Sequence, residues 1–361
     1  MALQVTEDVS AEALSRFDML IDVRSPGEFA EDHVPGATNL PVLSNEERAE
    51  VGTIYVQESR FKARRIGAAY VARNVAHHLQ TALADRPGGF APLVYCWRGG
   101  MRSNAMATIL SQVGWRTTVL SGGYRTYRRH VTARLYDGRL PHRFVLLDGE
   151  TGSAKTEILA RLATRGAQTL DLEDLAAHRG SLFGAIPGRP QPSQKLFESR
   201  LLAALDALDP ARPVIAEAES SKIGDRMLPP ALWTRLAEAQ RIELQAQATD
   251  RARYLVQAYG DLIGDRARLE DAFGRLPVHP SRERIAGWRA LADAGDFETL
   301  VGAVMALHYD PAYLRARKKH GRPPLRTIPL PGLDAASQEA AADRILGAVD
   351  ALDAPAPGRD S

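Results

Sequence analysis

The chain has 361 residues, of which 45% are hydrophobic and 25% charged, the composition of a globular protein long enough for two domains with separate cores. Lys+Arg 46 against Asp+Glu 44 leaves a net charge of +2, so a polyanionic partner has to be met by local basic patches rather than by overall charge. A single cysteine excludes an intrachain disulfide framework and fits a reducing compartment. No apolar run of about 18 residues and no signal-like N-terminal segment occur, so the expectation is a soluble cytoplasmic protein with no membrane contact.

In chain order, Met19-Leu20-Ile21-Asp22-Val23-Arg24 reads as a short buried strand that ends in a turn, Ser25-Pro26-Gly27-Glu28-Phe29, leading into a helix. His33 to Pro41 reads as a loop and another short strand, and a polar, helix-rich insertion is expected over about 44–85. Leu93-Val94-Tyr95 then leads into Cys96-Trp97-Arg98-Gly99-Gly100-Met101-Arg102-Ser103. A helix through Gln112, a strand over Thr117–Leu120 and the turn Ser121-Gly122-Gly123-Tyr124 follow. Strands alternating with helices predict a parallel α/β sheet with the cysteine loop at the C-terminal end of a strand.

The Cys96 loop is suited to thiolate chemistry. Its glycines let backbone N–H groups turn toward the sulfur. Arg98, Arg102 and the N-terminus of a helix beginning near Ser103 are expected to lower the thiol pKa. A lone cysteine is more commonly a buried structural residue, but a structural cysteine has no need of a cationic glycine loop behind it.

Leu20 to Phe29, His33-Val34-Pro35-Gly36-Ala37, the Cys96 loop and Ser121-Gly122-Gly123-Tyr124 together resemble a rhodanese domain. That resemblance implies that Cys96 carries sulfur or selenium, and Asp22 and Arg24 read as a structural ion pair at the strand end. The Cys-x5-Arg spacing from Cys96 to Arg102 is one residue longer than in typical sulfurtransferase loops. It is similar to that of dual-specificity phosphatases built on the same fold, and a loop of this size encloses a phosphate-sized anion. Against a phosphatase, Tyr95 stands where those enzymes have a histidine, and no general acid is evident nearby. The wide loop equally suits a donor that is itself a phosphate, such as selenophosphate.

A second α/β unit begins with the apolar strand Arg143-Phe144-Val145-Leu146-Leu147-Asp148, followed by Gly149-Glu150-Thr151-Gly152-Ser153-Ala154-Lys155-Thr156 and a helical stretch over 157–164. Strand, glycine loop and helix make a phosphate site in which Gly149, Gly152 and Ser153 offer backbone N–H groups, Lys155 adds charge and Thr156 reaches Mg²⁺. The loop departs from Gly-x4-Gly-Lys-[Ser/Thr] at Ala154, whose methyl is tolerable in a right-handed backbone but crowds the phosphate. Glu150 adds a negative charge that has to point away. Pro213 to Ser220 reads as a second buried strand ending in carboxylates, with Glu217 placed to orient Mg²⁺ or its water. Ile242 to Ala246 reads as a further strand, after which Arg251 is the candidate to reach a phosphate. Between these, Leu170-Asp171-Leu172-Glu173 leads into His178-Arg179-Gly180-Ser181, by its chemistry alone a polar loop beside the phosphate site. Residues 251–320 read as mostly helical, with Trp288 in a core, and one more amphipathic helix is expected at about 335–352.

The pairing of these two units resembles the tRNA 2-selenouridine synthase family over about residues 15–320. The residues that carry this are Asn45 to Thr53, the Cys96 loop, Asp171-Leu172-Glu173 with His178-Arg179-Gly180-Ser181, Glu217-Ala218-Glu219-Ser220, and Tyr309-Asp310-Pro311. The resemblance implies an α/β fold of two domains: a rhodanese-like parallel sheet over 1–136 and a P-loop NTPase-like parallel sheet with extra helices over 137–330, then a terminal helix and disordered tail over 331–361. It implies a transferase acting in two steps. The 2-thio group of a wobble 2-thiouridine in tRNA is alkylated by geranyl diphosphate, and selenium from selenophosphate, passed through Cys96, then displaces the geranylated sulfur. Arg98 and Arg102 would hold the anionic selenium donor. Asp171, Glu173, His178 and Arg179 would bind substrate. No tightly bound cofactor is expected, and Mg²⁺ is a candidate ligand of Thr156 and Glu217; a selenophosphate-supplying enzyme is a candidate partner. Arg125, Arg128 and Arg129, with Tyr124 and Tyr127 among them, and Arg317, Lys318 and Lys319 are the candidate tRNA contacts. The alternatives are a Cys-x5-Arg phosphatase fused to a nucleotide-sensing domain, and a nucleotide-dependent RNA-binding protein in which Cys96 is vestigial.

Overall fold

The apolar runs of the sequence become the strands of two parallel sheets in the structure, a computed structural model that describes residues 3–277, 280–320 and 323–353, with the backbone alone at 316, 319, 320 and 353. The first sheet contains β1 (Gln4–Thr6), β2 (Met19–Asp22), β3 (Thr38–Asn39), β4 (Pro92–Tyr95) and β5 (Thr118–Leu120), in the order β1-β5-β4-β2-β3. All its pairings are parallel. β4 is buried along its whole length, which is why it reads as a continuous apolar run rather than an alternating one. Its register against β2 sets Asp22 opposite Tyr95, so both strands end at one edge and deliver the loops that follow to the same place.

The insertion after β3 is a pair of packed helices, Asn45–Gln57 and Arg60–Gln80. The first begins with a capping box: Ser44 Oγ accepts from Glu47 N at 3.2 Å, and a Glu47 carboxylate oxygen accepts from Ser44 N at 2.9 Å. The second helix buries Val71 and Val75 in the sheet's core with Leu40, Val42, Val94 and Met106.

The second sheet has β6 (Arg143–Gly149), β7 (Gln168–Leu170), β8 (Pro213–Glu217), β11 (Gln240–Gln245) and β12 (Arg326–Pro329), in the order β12-β11-β6-β8-β7, again all parallel. Between β8 and β11 lies a small antiparallel hairpin, β9 (Lys222–Ile223) and β10 (Arg226–Met227). The central strand β6 leads straight into the glycine loop and the helix Lys155–Thr164. That helix packs Ile158, Leu159 and Leu162 with Ile345 and Val349 of the helix Ala335–Asp353. Most of the described residues over 248–320 are helical, as expected, and Trp288 is buried with Leu269, Phe273 and Leu300.

Two segments lie differently from the domain limits expected above. The compact units are residues 1–139 with Pro192–Asp206, and Leu140–Gln191 with Ala207 onward. The helix Gln194–Asp206 therefore belongs to the first unit although it follows the glycine loop in sequence, and Arg128 pairs with its Glu198. The helix Ala335–Asp353 belongs to the core of the second sheet, held by Arg161 and Arg165 through Glu339, so no separate terminal segment begins at 331. The expected disordered tail lies outside the described residues from 354 on.

Candidate functional site

The first site forms around Cys96 at the end of β4. The sulfur is almost wholly buried, at 4% exposure. It accepts hydrogen bonds from Gly100 N at 3.3 Å and from Ser103 Oγ at 3.2 Å. Burial by itself pushes the Cys96 thiol up, but Ser103 and the amides of Arg98, Gly100 and Ser103 outweigh it and leave the thiol below its ordinary value. The arginines are not the cause. Arg98 is exposed, and Arg102 Nη1 is engaged by Glu28 at 2.9 Å. The helix also starts earlier than expected, at Met101, which puts Ser103 in its first turn beneath the sulfur. Ser103 was not among the sequence candidates; its signal was a hydroxyl seven residues after the cysteine, one turn into the helix.

The cysteine loop holds its shape by resting on the turn after β5. Tyr124 N donates to Cys96 O at 2.8 Å, and Arg125 N to Trp97 O at 3.2 Å. Gly99 and Gly123, at φ +65° and +59°, touch backbone to backbone: a Cβ on Gly123 would lie 2.2 Å from Cys96 O. Behind the loop, Arg24 is buried and paired with Asp22 at 2.6 Å, as the sequence suggested. It also donates to Asp32 O at 2.6 Å and lies 4.1 Å from the centre of the Tyr124 ring.

Glu28 and Tyr95 bear on the phosphatase alternative. Burial would raise Glu28, but the hydrogen bond and charge of Arg102 and the charge of Arg48 hold it below the usual carboxylate range. It stays ionised and has no proton to give a leaving group. Tyr95 is fully buried, its hydroxyl accepting from Val34 N at 3.2 Å, and burial pushes its pKa up.

The basic run after the turn divides in two. Arg125 and Arg129 are exposed and line a cleft with half-buried Trp97. Arg128 is largely sequestered by Glu198 and Asp32. Tyr124 and Tyr127 are 3% and 4% exposed, so they are core residues and not stacking surfaces, contrary to the expectation for that patch.

The second site is the glycine loop after β6. Lys155 Nζ donates to Gly149 O at 2.9 Å, and Ser153 N to Glu150 O at 3.2 Å. Gly149, Gly152, Ser153, Lys155 and Thr156 line one cavity with Glu173, Arg179 and Glu219. Ala154 departs from the expected right-handed backbone. It adopts φ +57°, ψ +33° with its methyl buried, a conformation that costs a non-glycine residue roughly 1–2 kcal/mol. Arg251 also lies elsewhere than expected. It is buried behind the loop, its guanidinium bound to Asp310 at 2.9 and 3.1 Å, to Thr151 O at 3.2 Å and to Glu150 at 3.3 Å. It props the loop and turns the Glu150 charge aside, instead of facing a phosphate.

Beside the loop, Glu173, Glu217 and Glu219 bring carboxylate oxygens within 4.8 Å of one another. Thr156 Oγ1 donates to Glu217 at 2.7 Å and lies 3.3 Å from Glu173. Glu217 is 1% exposed and its Oε2 has no partner. Burial first, then the neighbouring acidic groups, push Glu173 and Glu217 upward, with Lys155 opposing; burial pushes Glu219 up against Lys155 and a hydrogen bond with Glu173. A buried, partnerless carboxylate oxygen facing two further carboxylates and a hydroxyl suits a hard divalent cation. The turn His178-Arg179-Gly180-Ser181 covers this cluster closely, because a Cβ on Gly180 would lie 2.2 Å from Glu173. The sequence analysis assigned roles to Glu173 and Glu217 and none to Glu219; the alternating Glu-Ala-Glu was the signal.

The other expected substrate residues are spread around it. Asp171 caps the helix Leu172–Ala176, accepting from Asp174 N at 2.7 Å. His178 is buried with Nδ1 unpartnered. Arg179 pairs with Asp261 at 3.0 Å over the ring of Tyr259. Of the second basic run, Arg317 is held by Glu243 at 2.5 Å, Lys318 is exposed, and the Lys319 side chain lies outside the described residues.

Two family models match the chain: a rhodanese-like domain over residues 6–130 and the tRNA 2-selenouridine synthase AAA domain over 142–275. Among curated proteins, the chain is 30% identical to the tRNA 2-selenouridine synthase of Cupriavidus pinatubonensis, covering 83% of this chain and 89% of that protein. It is 34% identical to that of Nitrosomonas europaea, covering 71% and 68%, and 34% identical to that of Shewanella denitrificans, covering 81% and 87%. No helix among the described residues is long and apolar enough to cross a membrane.

Proposed function

The chain belongs to the tRNA 2-selenouridine synthase family, and from that premise we propose that it converts a wobble 2-thiouridine of tRNA to 2-selenouridine in two steps, one at each site. In the first, geranyl diphosphate alkylates the 2-thio sulfur: the carbon–oxygen bond to diphosphate breaks, a carbon–sulfur bond forms, and diphosphate leaves with the electron pair. In the second, the Cys96 thiolate attacks the phosphorus of selenophosphate, the phosphorus–selenium bond breaks and selenide leaves with the electron pair; selenide then attacks C2, the geranyl thiolate departs, and water frees phosphate from Cys96. An alkylated sulfur leaves far more readily than a thiocarbonyl sulfur, so the order of the steps follows from their chemistry.

The residues suit these roles. Loop amides and Lys155 bind the diphosphate and stabilise its leaving charge. Thr156, Glu217, Glu173 and Glu219 would hold Mg²⁺, which supplies Lewis-acid neutralisation of the same charge. Ser103 and the loop amides favour the Cys96 thiolate, the nucleophile of the second step. Exposed Arg98 is free to meet the anionic donor, and Arg102 reaches it by exchanging its bond to Glu28. Arg125, Arg129 and Lys318 are the cations available to tRNA phosphates.

The observation that carries this reading is one chain with both a buried cysteine sulfur held by Gly100 N and Ser103 Oγ in an arginine-bearing loop and a phosphate loop beside a carboxylate cluster. The phosphatase alternative lacks a protonated acid at the Cys96 loop. Nucleosides from tRNA incubated with the protein and geranyl diphosphate should contain geranylated 2-thiouridine, and adding selenophosphate should convert it to 2-selenouridine. Release of inorganic phosphate from phosphoesters, with no change to the nucleosides, would select the phosphatase instead.

A further inference from the structure

Next to the phosphate-loop cavity lies a second one, which shares Thr151, Ser181, Leu255, Tyr259 and Tyr309 with it. Beyond that common mouth the second cavity is walled by hydrocarbon. The helices Arg266–Arg275 and Phe297–Val304 contribute Leu269, Ala272, Phe273, Leu300 and Val301. Its empty volume, with the mouth and the open solvent there included, is about 640 Å³. Among the described residues, no side chain lining it past the mouth donates or accepts a conventional hydrogen bond. A ribose or a base placed there would leave its polar groups unpaired. The shape and chemistry ask for a molecule with an anionic head at the glycine loop and a purely apolar tail.

We infer that this cavity receives the hydrocarbon tail of the diphosphate substrate and that Ala272 and Leu300, in its buried wall, set the chain length accepted. The inference rests on the geranyl-transfer reading above and adds to it where the prenyl chain lies and which residues measure it. Ala272 and Leu300 are 4% and 2% exposed, and neither lines the phosphate-loop cavity. Substitutions there change the space for the tail without touching the cradle for the head. Each methylene buried is worth roughly fourfold in affinity, so a ten-carbon chain has ample reach to dominate binding.

The test compares inorganic pyrophosphate, geranyl diphosphate and farnesyl diphosphate as ligands of the full chain by calorimetry. Wild type should bind geranyl diphosphate at least tenfold tighter than pyrophosphate. A272F should lose that advantage while binding pyrophosphate as before. L300A, which only removes atoms and carries the test if A272F does not fold, should shift preference at least fivefold toward farnesyl diphosphate. Pyrophosphate binding with no geranyl advantage, or ratios unmoved in L300A, would overturn the inference and leave the phosphate cradle standing. Failure of wild type to bind either diphosphate would overturn the geranyl-transfer reading itself.

Discussion

Replacing Glu217 by Gln tests the carboxylate cluster from two directions. At about 4.8 Å and an effective dielectric near 20, two ionised carboxylates repel by about 3.5 kcal/mol, and Glu217 faces two such neighbours. Their raised pKa values mean that part of this repulsion is already relieved by protonation at neutral pH. A carboxyl raised on folding contributes stability that is complete below the ordinary Glu value and is lost as pH climbs through the raised one. The metal-free wild type should therefore lose stability from about pH 5 to pH 9. E217Q keeps an acceptor for Thr156 and gives Oε2's position a donor for its neighbours, so it should be more stable than wild type in EDTA. We expect a gain on the order of 2 kcal/mol at pH 8 and little at pH 5. With Mg²⁺ at 100 times its dissociation constant the order should reverse, because binding adds about 2.7 kcal/mol to wild type alone. Thermal denaturation at both pH values, with EDTA and with Mg²⁺, reads all four corners. An E217Q protein that is less stable than wild type in EDTA at pH 8, or that gains as much from Mg²⁺, would refute the reasoning.

Other expectations follow from single contacts. S103A removes the hydroxyl bond to the Cys96 sulfur and should raise the thiol pKa, read from the pH dependence of alkylation; an unchanged profile contradicts the assigned cause. A154G relieves the left-handed alanine and should hold or raise stability by up to about 1 kcal/mol without weakening pyrophosphate binding, and a loss larger than that in chemical denaturation would count against the strained loop. R125A/R129A should flatten the salt dependence of tRNA binding by about 1.5 in log–log slope at unchanged melting temperature. R128A should instead destabilise the protein, by about 3 kcal/mol, because buried Glu198 loses its cationic partner; the opposite pattern would exchange the roles of these arginines.

The central strands were legible in the sequence because parallel strands buried on both faces read as unbroken apolar runs, as in Leu93 to Tyr95 and Phe144 to Leu147. The edge strands β1 and β12 were not legible. They are short, partly exposed and lack such a run. The cysteine and glycine loops could be read because their chemistry is local, a few residues in fixed order. What escaped was set by distant partners: Glu198 and Glu243 pairing with Arg128 and Arg317, Asp310 drawing Arg251 behind the loop, and Tyr124 and Tyr127 turning inward. The helix Gln194–Asp206 sits among phosphate-loop residues in sequence but packs with the first unit, and no local pattern announces that. Ala154 shows the limit of propensity, since tertiary context holds a non-glycine residue at φ +57°.

The most direct measurement is mass spectrometry of tRNA nucleosides after incubation with geranyl diphosphate and selenophosphate, using wild type, C96S and K155A. Wild type should yield 2-selenouridine, C96S should stop at geranylated 2-thiouridine, and K155A should leave 2-thiouridine unchanged. Selenation by C96S, or geranylation undiminished in K155A, would contradict the division of the reaction between the two loops.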